Sequence, residues 1–515
     1  MEIFRYTKIA KHLREIYFVL SIVLVLSLGL GVAQKALAQP TPLAGLEAPQ
    51  LLTIPTWTSG APGFPANTQA STDVFSFDPS THTLYFADRT NFGVSAIDTR
   101  TNTYIGTIVV PTCTGLGTAG GGSCPSGVLV APDLHKLVIT DRSNVIGTTT
   151  QLLNHIFIFD LRLGQFTPPG GLALPAGLAP DELDYDPLNQ RAYVGNTEAP
   201  FFVTVVDLVN NEIVDQIPLP GTVEQPRFNP VDGFVYATVP GAVPDHAVLR
   251  IDPTQSGAAA IAATFPTPGC DPRGIDIDAL TNTAIIGCAN PGPQILMDLR
   301  NGAILTTFPE VTGTDIEVFN PNVRRWYTAS SSNTISGVDA CPQDTTNAFP
   351  VVGVFAAPRK PNQIATLVGV ECSGRNGHGI GVDPFGNTIY VGVRQFPADP
   401  NSPNTGAPGV LAWHDPAPLA QPRLVEESAA NLQGNGRVRI LDGHLVRARL
   451  TNVPTDPALL NITTTIGNEV LDCEASGTNT ICAGVLKGQA LIGGTVFLAA
   501  GGTPVAKGTI RVVDR

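Results

Sequence analysis

From residue 74 onward the chain repeats one alternation of apolar and polar positions. A short apolar strand runs into Asp-Pro or a close variant, a polar turn follows, and a strand rich in aromatic and β-branched residues returns. The copies are Val74-Phe75-Ser76-Phe77-Asp78-Pro79, Val128-Leu129-Val130-Ala131-Pro132, Leu183-Asp184-Tyr185-Asp186-Pro187, Arg227-Phe228-Asn229-Pro230, Ile275-Asp276-Ile277-Asp278-Ala279, Val318-Phe319-Asn320-Pro321 and Gly381-Val382-Asp383-Pro384. Asp or Asn opens a turn, and Pro cannot donate to a β-ladder, so each strand stops there. The returning strands include Leu84-Tyr85-Phe86, Ala192-Tyr193-Val194, Val235-Tyr236-Ala237 and Ile389-Tyr390-Val391. Runs of this length and composition, punctuated this way, predict strands throughout.

Each copy continues into a third strand ending at an aspartate: Asp98, Asp160, Asp207, Asp252, Asp298, Asp339 and Asp415. A fourth strand ends in an apolar residue and Pro, as in Val110-Pro111, Leu174-Pro175, Leu219-Pro220, Phe265-Pro266 and Phe308-Pro309. Successive copies are 42 to 63 residues apart, and a four-stranded unit at that period is a propeller blade. The seventh copy has no fourth strand of its own, because Asp415 leads into the Pro-rich stretch 416–422. Leu51-Leu52-Thr53-Ile54-Pro55 has fourth-strand character and precedes the first copy. It is expected to complete the last blade and close the ring, which removes exposed sheet edges.

The expected fold is all-β: a seven-bladed β-propeller within residues 39–419, followed by a linker at 420–435 and a small β domain at 436–515. Blade two departs most from the pattern, and blade six reads as carrying a long insertion through 341–372. In the last segment, short alternating runs at 437–440, 445–450, 460–463 and 509–513 predict a β-sandwich-like unit.

The N-terminus sets the compartment. Arg5, Lys8, Lys11 and Arg14 precede a nearly unbroken apolar run at 16–32, and Ala36-Leu37-Ala38 follows. This is the pattern of a secretory signal peptide over 1–38, cleaved before Gln39. The alternative is an uncleaved anchor, since the run is near the short limit for spanning a bilayer. No cysteine follows the site to take a lipid, and no later segment is apolar enough to cross a membrane. The protein is expected to be secreted, periplasmic or on the cell surface, with no membrane span in the mature chain.

Composition agrees. The eight cysteines are an even set in an exported chain, which argues for disulfides. Cys270 and Cys288 should face each other across a hairpin, and Cys473 and Cys482 should do the same. Cys113/Cys124 and Cys341/Cys372 would close loops. There is no C-x-x-C pair to supply zinc-ligand spacing. A formal net charge of −13 disfavours nucleic acid, whose phosphates demand clustered positive charge. Gly (52) and Pro (45) favour turns over helices, while 43% hydrophobic residues suffice for a large core.

Local motifs carry little chemistry. Gly115-Leu116-Gly117-Thr118-Ala119-Gly120 matches G-x-G-x-x-G, but no helix follows to meet a pyrophosphate, and Cys113 and Cys124 bracket it as a loop. No G-x-S-x-G, H-E-x-x-H or P-loop occurs, so no catalytic motif is found. The third-strand aspartates read as local acceptors for turn N–H groups. Trp57, Trp326 and Trp413 are scattered and read as packing residues. Asn461-Ile462-Thr463 fits a glycosylation sequon.

Aligning the copies gives the better lead. Six residues before each Pro79-equivalent position stand Asp73, Ser126, Asp181, Glu224, Arg273, Asp315 and His378. This column sits where the innermost strand begins, at the mouth of the central channel. Asp73, Asp181, Glu224, Arg273, Asp315 and His378 are therefore candidate ligand-binding residues. An oxygen-rich ring suits a hard divalent cation, Ca or Mg, and Arg or His beside carboxylates suits an acidic substrate group or a proton transfer. A solvated polar rim would look the same. Asp184, Asp276 and Glu317 lie deeper in the same strands.

With Tyr193-Val194-Gly195-Asn196 and Tyr390-Val391-Gly392, the repeats from Leu51 to Asp415 resemble the YVTN-type propeller family and its NHL-type relatives. The resemblance implies architecture more than function, since such propellers host lactonases, lyases, binding modules and surface-layer proteins. Related lactonases hold a divalent ion with acidic channel residues, which implies Asp73, Asp181, Glu224 and Asp315 as metal candidates. Two functions are expected to compete: an exported binding or interaction scaffold for a protein, glycan or small molecule, and a metal-assisted lactonase or lyase at the channel mouth.

Overall fold

The computed structural model describes residues 45–417, with breaks at 56, 58–70, 114–123, 143–153, 175–178, 230–231, 242–245, 280, 336–340, 342, 345–346, 359–363 and 395–406, and then the backbone of strands within 423–514. The expected signal segment 1–38, the glycine-rich 115–120 and Asn461 lie outside the described residues. The chain divides into two units at Leu43/Ala44, and only the second is described.

After β1 (Gln50–Leu52), strands follow in blade order. Blade one is β2 (Thr72–Asp78), β3 (Thr83–Asp88), β4 (Gly93–Asp98) and β5 (Thr103–Val109). Blade two is β6 (Val128–Ala131), β7 (Lys136–Asp141), β8 (His155–Asp160) and an outer strand split into β9 (Gln165–Phe166) and β10 (Leu172–Ala173). Blade three is β11 (Pro180–Asp186), β12 (Arg191–Asn196), β13 (Phe202–Asp207) and β14 (Glu212–Pro218). Blade four is β15 (Pro226–Asn229), β16 (Phe234–Val239), β17 (Ala247–Ile251) and β18 (Ile261–Pro266). Blade five is β19 (Pro272–Asp278), β20 (Thr283–Cys288), β21 (Pro293–Asp298) and β22 (Ala303–Thr312). Blade six is β23 (Ile316–Asn320), β24 (Arg325–Ser330), β25 (Val351–Ala356) and β26 (Thr366–Cys372). Blade seven is β27 (Ile380–Asp383), β28 (Thr388–Val393) and β29 (Gly409–His414), completed by β1.

The ring is closed. Each inner strand (β2, β6, β11, β15, β19, β23, β27) lies against the next, and β27 returns to β2. Antiparallel pairing of β1 with β29 sets Leu51 opposite Leu411, so the outermost ladder of the last blade comes from the chain start, as the sequence predicts.

The hairpins repeat because their turns do. The third residue after each Pro79-equivalent position has a left-handed backbone: His82, His135, Gln190, Gly233, Asn282, Arg324 and Asn387, with φ between 47° and 76°. Asp78, Asp186 and Asp383 accept the Ser80, Leu188 and Phe385 N–H groups at 2.8–2.9 Å just before it. The third-strand aspartates do the same work. Asp98, Asp160, Asp207, Asp252, Asp298 and Asp415 each accept an N–H two residues on. The turns therefore follow from short acceptors at strand ends.

Two strand assignments need correction. In blade six the third strand is β25, and 341–372 holds the blade's own third and fourth strands, not an insertion. Asp339 lies outside the described residues. Val351-Val352-Gly353-Val354-Phe355 is buried on both faces, so it shows an apolar run where alternation was sought. In blade five, β22 continues through Pro309 to Thr312. This is an outermost strand, so the missing N–H breaks no ladder on its free side.

Side chains join the blades. The second-strand tyrosines are buried, and three reach the following blade: Tyr236 Oη donates to Leu299 O (3.2 Å), Tyr327 Oη to Asp415 (2.5 Å) and Tyr390 Oη to Asn102 (2.7 Å). Trp57, Trp326 and Trp413 are core residues. Disulfides link Cys113–Cys124, Cys270–Cys288 and Cys341–Cys372. In the C-terminal segment Val438–Ile440, His444–Thr451, Asp472–Ser476, Asn479–Leu486 and Val496–Ala500 are strands, and Cys473 stands opposite Cys482 in register. Residues 460–463 lie outside the described set. Among the described residues no helix is long and apolar enough to cross a membrane.

Candidate functional site

Every inner strand begins at the same end of the ring, so one column of the repeat becomes one rim. Asp73, Asp181, Glu224, Arg273, Asp315 and His378 line a single cavity of about 550 Å³ at the channel mouth. Ser126, the remaining member, is buried beside it, with Oγ 3.5 Å from Arg89 Nη2. Arg89, Arg142, Glu182, Thr197, Phe201 and Thr222 complete the wall.

Three of these additions are charged, and the column alignment misses all three. Arg89 and Arg142 directly follow β3 and β7, so aligning second strands instead of first would expose them. Glu182 is hidden by the period-two rule, which sends neighbours to opposite faces. The ladder between β11 and β12 shifts register between Pro180 and Leu183, and a bulge there turns both Asp181 and Glu182 toward the mouth.

Three carboxylates are paired across short distances: Asp73 with Arg89, Asp181 with Arg142, and Glu224 with Arg273. His378 Nε2 also lies 3.4 Å from Asp73 Oδ1. Burial penalises the Asp73 charge, but Arg89 and His378 outweigh it and hold its pKa below the usual range. Burial likewise opposes the charge on His378, and Asp73 and Asp315 overcome it, so its pKa is raised. Asp181 is raised by burial, against the pull of Arg142. Glu224 is pushed up by burial to about 8, despite Arg273.

Glu182 and Asp315 stand apart from this pairing. Glu182 is 5% exposed, and its Oε2 has no hydrogen-bond partner. No described residue donates to, or forms an ion pair with, the Asp315 carboxylate. Burial raises both pKa values, and Asp315 is the strongest charge acting on Glu182.

Below the mouth, Arg227 lies between two carboxylates, with Nη1 3.6 Å from Asp184 and Nε 3.4 Å from Asp276. Those aspartates also accept the backbone N–H of the next blade's inner strand, Asp184 from Phe228 (2.7 Å) and Asp276 from Phe319 (2.6 Å). Their geometry is that of inter-blade staples. The three also line a cavity of about 240 Å³ whose other walls are mostly apolar residues such as Phe75, Phe77, Leu183 and Phe319. Glu317 is fully buried, with neither carboxylate oxygen hydrogen-bonded.

The proposed metal ligands Asp73, Asp181, Glu224 and Asp315 thus share one wall, three of them held by arginines. Among the described residues, the three-residue group whose ligand atoms come within 4.8 Å of one another is Cys113, Cys124 and Asp141, and its cysteines are disulfide-bonded. Compared with protein-family models and with curated proteins, the chain matches none.

Proposed function

We propose that the protein is an exported binding propeller whose recognition site for a small polar ligand is the channel mouth. The observation that carries this reading is the 550 Å³ cavity lined by five carboxylates, three arginines and a histidine. Its size suits a small molecule, and its converging polar groups suit orientation of one. The disulfides fit an oxidising compartment, which supports export.

A second reading, a lactonase or lyase, draws on one pair. Asp73 and His378 are 3.4 Å apart and line the same cavity as Glu224, whose pKa of about 8 suits proton transfer near neutrality. A divalent ion at Asp73, Asp181, Glu224 and Asp315 would have to displace arginine partners.

The test fills the mouth. Thr222 lines the cavity, and Thr222→Trp would occupy it without replacing a charged group. Purified protein is screened by thermal shift against sugars, carboxylates, phosphates, amines and lactones. Binding present in the parent and lost in a folded Thr222→Trp variant is expected. Binding that survives the substitution moves recognition away from the mouth, and lactone turnover moves the function to catalysis.

A further inference from the structure

Resting on the mouth as the recognition site, we infer that its ligand is an organic amine, bound as the ammonium ion between Glu182 and Asp315.

The arginines leave two carboxylates of the mouth over. Asp73, Asp181 and Glu224 each have a guanidinium partner. Glu182 Oε2 is buried without a hydrogen-bond donor, and among the described residues Asp315 forms no ion pair, with His378 acting on its charge only from beyond pairing distance; both residues line the same cavity. A buried carboxylate without a donor is costly, and two that repel each other cost more. The bulge at Asp181-Glu182 aims the second of these carboxylates into the cavity, where strand alternation would have turned it away. Bulges re-aim side chains in this way beside functional sites.

An ammonium group supplies what is missing. It carries one positive charge and three N–H groups, each of which donates at ordinary hydrogen-bond distance. A hard divalent ion is a poorer match, because it needs six or more oxygens at about 2.0–2.6 Å. Among the described residues, no three carboxylates of the mouth gather that closely. The cavity, at about 550 Å³, also has room for the carbon skeleton that an amine carries. A purely anionic ligand would meet these two carboxylates unpaired, and a neutral one would leave their charge uncompensated.

The experiment is calorimetric titration of the full protein with 1,4-diaminobutane, 1,4-butanediol, butyrate and calcium chloride. Saturable binding of the diamine is expected, with no binding of the diol. Glu182→Gln and Asp315→Asn should each weaken diamine binding at least tenfold, with melting temperatures that show the fold intact. Calcium binding that is lost in both variants, without diamine binding, overturns the amine in favour of a metal site. Binding of butyrate or the diol alone, abolished by Thr222→Trp, overturns the amine and leaves the mouth standing. Failure of every probe here, together with no Thr222→Trp-sensitive ligand in the wider screen, removes both.

Discussion

Arg325 of the sixth blade and Asp415 of the seventh form a buried ion pair, with Arg325 Nη1 2.7 Å from Asp415 Oδ1. Tyr327 Oη, two residues along β24, donates to the same carboxylate at 2.5 Å. Asp415 directly follows β29, the strand that pairs with β1. The pair therefore ties blade six to the blade that closes the ring.

Removing one partner leaves an uncompensated buried charge, which costs about 3–5 kcal/mol. Arg325→Met is expected to lower unfolding free energy by that amount, measured by urea denaturation. Arg325→Met with Asp415→Leu should recover a large part of the loss, since no lone charge remains. A double variant no better than the single one would mean that geometry, not charge, is what the pair supplies.

Among the described residues the Cys341–Cys372 bridge closes the longest of the disulfide loops, with a sequence separation of 31. Chain-entropy reasoning gives a loop of that length about 3–4 kcal/mol. Cys341→Ala with Cys372→Ala should show a loss near that size, larger than for Cys113→Ala with Cys124→Ala. Equal losses from the two pairs would rule out loop length as the deciding factor.

Blade number, ring closure and the rim were legible because each rests on a signal that repeats. Asp78-Pro79 and its counterparts mark strand ends by local turn chemistry, and Leu51-Leu52 reads as a strand looking for an edge. Blade six resisted, because Val351–Ala356 is buried on both faces and so lacks alternation. Glu182 resisted for a different reason. A bulge is a property of two strands in register, and the sequence of β11 alone does not show it. Arg89 and Arg142 were readable in principle, one residue past the second strands, but the first-strand alignment looked elsewhere. Which charges end up paired was not legible at all, since Arg142 meets Asp181 across 39 residues of chain.

Gly274 and Gly287 face Glu317, and a Cβ at either position would overlap its carboxylate. A Cβ at Gly274 would also press on the Asp315 carbonyl oxygen. Gly274→Ala is thus expected to force apart the seam between blades five and six, at the roughly 1–3 kcal/mol typical of overpacking. Combining it with Glu317→Ala should relieve part of that loss, because the obstructing carboxylate is gone. Additive losses in the double variant would show that the Asp315 backbone is the real obstacle.

Burial raises Glu182 and Glu317 well above the ordinary glutamate value of 4.5, Glu224 to about 8 and Asp88 to about 6. In this range the folded protein keeps protons that the unfolded chain has already released, so these groups stabilise it most below their unfolded values. That stability is lost as pH rises through the raised values. The raised His378 acts in the same sense, since its contribution is complete below 6.5 and fades as pH passes its higher folded value. Asp73, Asp98, Asp207 and Asp298 are lowered and act oppositely, losing their contribution only as pH falls below the ordinary aspartate value of 3.8. The melting temperature should therefore peak near pH 4–5 and decline toward pH 8.5, read by calorimetry across that range. Glu317→Gln keeps the shape and removes one proton, so it should flatten the decline while leaving the pH 5 value nearly unchanged. A parent protein that melts higher at pH 8.5 than at pH 5 would mean that these carboxyls do not hold their protons in the fold.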